Sequence, residues 1–258
     1  MIVAFIFILG IFIGSFLNVV VFRLHRQEGF IKGRSKCLFC GHILYSKDLV
    51  PLFSYLFLKG RCRYCRQRFS HQYPLVELAT GLAFVLIFNK LVAGLNLLAL
   101  EPQQLLALIA WWLIACFLII IFVYDLKYYL ILDKVIWPAV IIALLVNIIL
   151  GSSILNLLLA AIVGSGFFLL QFLISKGKWI GGGDIRLGFL IGCIVGWPQI
   201  LTALFLAYIL GSVISAILLL NNKKRWGDKI PFGTFLALAT FLTMLYGQNL
   251  VAWYWGLF

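Results

Sequence analysis

The chain has very little acid. Only 8 of its 258 residues are Asp or Glu, against 21 Lys and Arg, and charged residues of both signs make up 11%. Apolar residues make up 64% and the mean hydropathy is +1.10. That balance excludes an ordinary soluble domain. Strict period-two alternation is missing, so a membrane β-barrel is excluded and helices remain. The first residues carry no basic segment, and no small-residue cleavage site follows Val21. The N-terminal apolar run therefore reads as a retained helix rather than a signal peptide.

What is present is a series of apolar runs. Eight candidate spanning helices fall at 2–22, 75–93, 105–123, 135–150, 154–174, 185–198, 199–220 and 232–255. A span needs about 20 residues, so the fourth and sixth are short. The expected fold is an all-α integral membrane protein of about eight transmembrane helices, with a small zinc-braced cytoplasmic loop domain between helices 1 and 2. Three segments follow: 1–22 as transmembrane helix 1, 23–74 as a cysteine-rich loop domain, and 75–258 as a polytopic membrane domain.

The net charge of +13 invites a nucleic-acid reading, but its placement opposes one. Eleven Lys and Arg lie in 23–74, and nine more fall in or beside the three later segments that an eight-helix topology puts on the same side. Only Lys90 is left for the other side. The positive-inside rule makes the crowded side cytoplasmic and both termini external. Anionic lipid headgroups, not nucleic acid, are the expected partners of that surface.

Against this background two acids stand out. Asp125 closes the run Trp111 to Tyr124, and Asp184 opens another after Gly181, Gly182 and Gly183. A carboxylate at a membrane-helix centre costs about 2.5–3.5 kcal/mol, so such residues are functional candidates by default. The topology brings both to the cytoplasmic end. If they meet, two close carboxylates share a proton: one can activate water while the other, protonated, polarises a carbonyl. The glycines allow close backbone approach or an irregular stretch beside a cavity. The bland alternatives are an N-cap for Asp184 and a salt bridge from Asp125 to Lys127 or Lys134. Asp133 reads as the N-cap of helix four, Asp228 as a solvated partner of its basic neighbours, and Glu77 as complementing the dipole of helix two or lining the site.

The loop holds Cys37, Cys40, Cys62 and Cys65 as two CxxC pairs separated by 21 residues. Four thiolates at this spacing suit tetrahedral Zn²⁺. Two disulfides are the alternative, disfavoured in the reducing cytoplasm. A closed four-thiolate site has no open position and would be structural. His42 could replace a ligand, but His25, His42 and His71 read as surface residues. Cys116 and Cys193, inside apolar runs, read as packing residues.

Several segments together resemble a known family. They are Gly14-Ser15-Phe16-Leu17-Asn18-Val19-Val20 with Arg23-Leu24, the two CxxC pairs, Pro51-Leu52-Phe53-Ser54-Tyr55-Leu56, Gly60-Arg61-Cys62-Arg63, Tyr73-Pro74-Leu75-Val76-Glu77, the triple glycine with Asp184 as a GxGD motif, and Pro231-Phe232-Gly233. In order and spacing they resemble the bacterial type IV prepilin peptidases. The resemblance implies an aspartic endopeptidase of the bacterial inner membrane, with Asp125 and Asp184 at the catalytic positions. It would cut the basic leader from type IV prepilins or pseudopilins of pilus, secretion or competence systems. It also implies N-methylation of the new terminus from S-adenosylmethionine. No GxGxxG after a strand is present to hold that donor. Three positions depart from the family pattern: Leu132 before Asp133 and Thr234 after Gly233 stand where Pro is common, and Leu38 replaces the Pro of the first knuckle. A zinc-braced transporter, a docking scaffold and a presenilin-like peptidase are the competing classes; the clustering of acids at one face opposes the first.

Overall fold

The computed structural model describes residues 1–29, 33–92, 101–225 and 228–256. Ala93, the expected last residue of the second span, and Lys32 of the basic loop lie outside them. Among the described residues the secondary structure is helical, apart from two isolated β-bridges. The long helices are α1 (Ile2–His25), α3 (Gln72–Val92), α4 (Pro102–Tyr128), α5 (Asp133–Ile149), α6 (Ile154–Ser175), α7 (Gly182–Val195), α8 (Gln199–Leu220) and α9 (Phe232–Trp255). Short α2 (Phe53–Phe57) and a 3₁₀ turn (Ser46–Asp48) lie in the cysteine loop.

All eight expected helices are present, and six are long and apolar enough to cross a membrane. The two exceptions are those that the sequence leaves short. The 14 residues of α7 reach about 21 Å, well under a hydrocarbon core of about 30 Å. It ends where Gly196 takes φ +69° and Pro198 follows. Apolar side chains on α6, among them Leu155, Ile162, Leu170 and Ile174, are more than 60% exposed, as expected of a surface that lipid covers. This is a multi-pass membrane protein.

The chain forms two compact units, Met1–Ala93 and Gly94–Phe258. In the first, α1 packs along α3. Gly10 and Gly14, one helical turn apart, let the backbones meet: a Cβ on Gly10 would lie 2.7 Å from Gly81 Cα. Without a hydrophobic force between helices in lipid, such small-residue contacts are the available source of packing energy. Asn18, buried on α1, donates to the carbonyls of Gly14 (3.3 Å) and Tyr73 (3.1 Å), closing the polar end of the pair.

In the second unit α7 is the hub, touching α5, α6, α8 and α9. Its Leu187, Leu190, Ile191 and Cys193 are fully buried. The same small-residue device seats it on α6: a Cβ on Gly192 would lie 2.3 Å from Ala161 N, and one on Gly164 would lie 2.5 Å from the Gly188 carbonyl oxygen. Asn147 at the end of α5 donates to the carbonyls of Cys193 (2.8 Å) and Ile194 (3.1 Å), satisfying the far end of this short helix.

Candidate active site

Asp125 lies on the last turn of α4 and is 5% exposed; Asp184 lies on the first turn of α7 and is 8% exposed. An acid at a helix C-terminus opposes that helix's own dipole. The structure resolves the conflict through a different helix. Asp125 Oδ2 accepts a hydrogen bond from Thr234 N at 2.9 Å, so the carboxylate sits on the N-terminus of α9. There the dipole and the orphan N–H groups favour it. The salt bridge to Lys127 or Lys134 weighed from sequence is not among the ion pairs of the described residues.

Asp184 Oδ2 accepts from Gly181 N at 3.1 Å and closes the first turn of its own helix. Gly182 and Gly183 already belong to α7, so the glycines form its opening turn rather than an irregular stretch before a helix at 185. Each acid thus rests at a helix N-terminus. The 59 positions between them in sequence vanish because α4 and α7 end and begin at one end of this unit.

Ile131, in the link from α4 to α5, is the wedge between these turns. A Cβ on Gly183 would fall 2.9 Å from Ile131 Cβ. A Cβ on Gly233 would fall 2.9 Å from both Ile131 Cδ1 and Asp125 Oδ2. Gly233 is therefore the residue that lets α9 approach the carboxylate, and Thr234 supplies the N–H. A proline at that position could not donate it. Sequence reasoning placed Pro231-Phe232-Gly233 only as a motif; the signal it carried was a glycine at the start of an apolar run.

Asp133 has a different job from the expected N-cap. It is the first residue of α5, the cap position is Leu132, and its carboxylate ion-pairs with Arg186, two residues beyond Asp184. The pair ties α5 to α7 beside the acids. Asp228 accepts from Arg225 N at 2.8 Å, within its own basic loop as expected. Glu77 belongs to the first unit, where it is buried and accepts from Leu52 N at 2.8 Å.

The cysteine loop is built twice over. Lys36 bridges Ile43 around the first CxxC, and Arg61 bridges Arg68 around the second, at identical offsets. Cys37 N donates to His42 O (2.9 Å) and Cys62 N to Gln67 O (2.8 Å). Gly41 and Arg66, matching positions, both take positive φ, at +72° and +59°. The two knuckles bring the sulfurs of Cys37, Cys40, Cys62 and Cys65 within 4.8 Å of one another, and Cys37 and Cys65 are 3.8 Å apart. A tetrahedron with metal–sulfur bonds of about 2.3 Å has edges of about 3.8 Å. A disulfide needs about 2.05 Å, and the cysteines are free. This cluster can hold a metal ion. Asp48 holds the second knuckle, accepting from Arg63 Nε (2.7 Å) and the Tyr64 hydroxyl (3.0 Å). Burial pushes its carboxyl up, but these bonds and Tyr45 N outweigh that and hold it below the usual aspartate range. His42 stacks on Tyr64, with ring centroids 3.6 Å apart, and stays outside the four-sulfur cluster. Cys193 is buried among packed side chains, as its apolar setting implied.

A helical multi-pass membrane protein with a buried carboxylate pair in one unit and a four-thiolate cluster in the other is a defined class. Residues 8–91 match the model of the bacterial peptidase A24 N-terminal domain, and residues 112–216 that of the type IV leader peptidase family. The chain is 30% identical to a prepilin leader peptidase/N-methyltransferase of Pseudomonas putida, over 95% of this chain and 91% of the relative. It is 31% identical to one of Bacillus subtilis strain 168, over 96% of each. A third, from Aeromonas salmonicida, is 29% identical over 96% of this chain and 92% of its own length. No solved structure matches. The chain belongs to the type IV leader peptidase family.

Proposed function

We propose that this chain is an aspartic endopeptidase of the inner membrane that removes the basic leader from type IV prepilins or pseudopilins at the cytoplasmic face. The observation that carries the reading is the burial of Asp125 and Asp184 at the N-termini of α9 and α7, whose opening glycine turns both close on Ile131. The names of its relatives agree with it. One carboxylate takes a proton from water as the water oxygen attacks the scissile carbonyl carbon. The other, protonated, donates to the carbonyl oxygen. Collapse of the tetrahedral intermediate breaks the C–N bond, and the leaving amine takes up a proton. A Cβ on Gly182 would meet nothing within 4 Å, so that turn leaves the substrate backbone room to approach. The positive-inside rule supports the cytoplasmic assignment, because 20 of 21 basic residues fall on that side of an eight-helix topology. Anionic lipids fit the same surface.

The second half of the reading is N-methylation of the new terminus. The neutral amine's lone pair takes the methyl carbon of S-adenosylmethionine, the carbon–sulfur pair stays on sulfur, and the amine loses one proton. Cys37, Cys40, Cys62 and Cys65 would hold Zn²⁺, a closed site that braces the loop and supplies no open coordination position. The test is incubation of purified protein with a prepilin and S-adenosylmethionine, with the product read by mass. Leader loss and gain of one methyl are expected, scored separately. An intact prepilin after incubation sinks the peptidase reading.

A further inference from the structure

The second cysteine knuckle carries an open cleft of about 660 Å³ with a strongly basic wall. Lys59, Arg61, Arg63, Arg66 and Arg68 line it, and among the described residues no Asp or Glu does. Arg63 has a carboxylate partner in Asp48; no acid of the described residues lies within ion-pair distance of the other four cations. An isolated β-bridge sets Arg61 directly opposite Arg68. Like charges opposed in this way are destabilising. The fold gathers positive charge here and leaves it unneutralised, which suits an anionic partner.

What borders the cleft identifies the partner. Phe57, on its wall, belongs to α2, where Phe53, Leu56 and Phe57 stand at i, i+3 and i+4 and so share one face. They are 61%, 70% and 83% exposed. A single exposed apolar side chain needs no explanation, but a row of them beside a basic rim is the pattern of an element lying in a membrane interface. The fastening of α2 puts it at the right height. Leu52 N, at its cap, donates to Glu77 of α3 at 2.8 Å. The Tyr55 hydroxyl and His71 Nδ1 are hydrogen-bonded at 3.1 Å, one residue before α3 begins. Because α3 is long and apolar enough to cross a membrane, the apolar face of α2 is tied to the end of a spanning helix, where headgroups lie.

We propose that this face of the cysteine loop docks on the bilayer surface and holds anionic phospholipid headgroups. Phe53, Leu56 and Phe57 sit at the boundary of headgroups and acyl chains, and Lys59, Arg61, Arg66 and Arg68 bind the phosphate groups. A soluble acidic protein would meet the cations too. It would have to cover the apolar row within a charge-rich contact, whereas the cores of protein interfaces are depleted of charge.

The inference deepens the lipid part of the proposed function and rests on it; the test keeps the two apart. The purified full chain is placed in nanodiscs of phosphatidylcholine doped with a phosphatidylglycerol analogue that carries a photoreactive group beside its phosphate. Labelled peptides are mapped by mass. Label is expected in 53–68, far above that from a phosphatidylcholine analogue with the same group. It should weaken about fivefold for each cation removed, hence about 25-fold in Lys59→Gln/Arg68→Gln, whose zinc content and melting temperature show that it is folded. Label confined to 127–134, 176–186 and 223–229 overturns the site while leaving anionic lipid as a partner of the chain. No label above the phosphatidylcholine level anywhere overturns both. Label in 53–68 that inorganic phosphate displaces makes the cleft a site for a soluble anion and overturns the proposal, as does label that the folded double variant keeps in full. Protection of 53–68 from protease by added polyglutamate but not by the anionic bilayer would assign the face to an acidic protein and overturn the lipid site. Should the double variant fail to fold, the wild-type map decides alone.

Discussion

The smallest perturbation that reaches the acid pair is one methyl group at Gly233. In Gly233→Ala the new Cβ would start 2.9 Å from Asp125 Oδ2, 3.1 Å from its Cγ and 2.9 Å from Ile131 Cδ1. Ordinary contacts are about 0.5 Å longer or more. Ile131 presents the end of a flexible side chain and can swing away. The carboxylate is held by Thr234 N and cannot move without losing that bond. The stability cost is that of mild overpacking, about 1–3 kcal/mol. The catalytic cost is larger, since misplacing a reacting group by about 1 Å can cost about 100-fold. Steady-state cleavage of a prepilin, read beside the melting temperature, measures both. Ile131→Ala in the same chain serves as the control. It removes one of the two clashes, so it should recover stability but not the rate. A Gly233→Ala enzyme that cleaves at the wild-type rate would refute the placement of Gly233 against a working Asp125. Full recovery of rate by Ile131→Ala would show that the wedge, and not the acid, was disturbed.

Other changes test separate parts of the account. Thr234→Pro deletes the N–H that Asp125 accepts; it should lower cleavage by about 10-fold or more, the loss of a charge-assisted bond, with the protein still in the membrane. Gly192→Leu drives a side chain into the Ala160–Ala161 backbone, which cannot yield; it should unseat α7, lowering the melting temperature and abolishing cleavage together. Metal analysis should find one zinc per chain in the wild type and almost none in Cys37→Ser/Cys62→Ser, whose loop should then be cut readily by added protease. An unchanged metal content would remove the four-thiolate assignment.

The helices were legible because apolar runs long enough to span lipid have few other readings. The acids were legible for the same reason in reverse: Asp125 and Asp184 are charges at the edges of those runs. The knuckles were legible from spacing alone, since two CxxC pairs bring four sulfurs together with little help from the rest of the chain. Boundaries were less so. The second long helix begins at Gln72 and the third at Pro102, before their apolar runs, because hydropathy marks the lipid-facing length and not the end of backbone hydrogen bonding. The seat of Asp125 was not legible at all. Its partner Thr234 is 109 positions away, and its logic is the dipole of a helix other than its own. Asp133 misled for a related reason, since its position before an apolar run fits a cap, while its partner Arg186 lies 53 positions on. Glu77 showed as a rare acid near a helix start, but its bond to Leu52 N, 25 positions away, is a fact of packing.

The central claim is that Asp125 and Asp184 together do the chemistry. Asp125→Asn and Asp184→Asn each keep an oxygen that can accept from Thr234 N or Gly181 N, so both variants should fold, insert and melt like the wild type. Product mass after incubation with a prepilin is the direct measurement. The account predicts an uncut leader in both variants. A normal rate of cleavage by either one would contradict it.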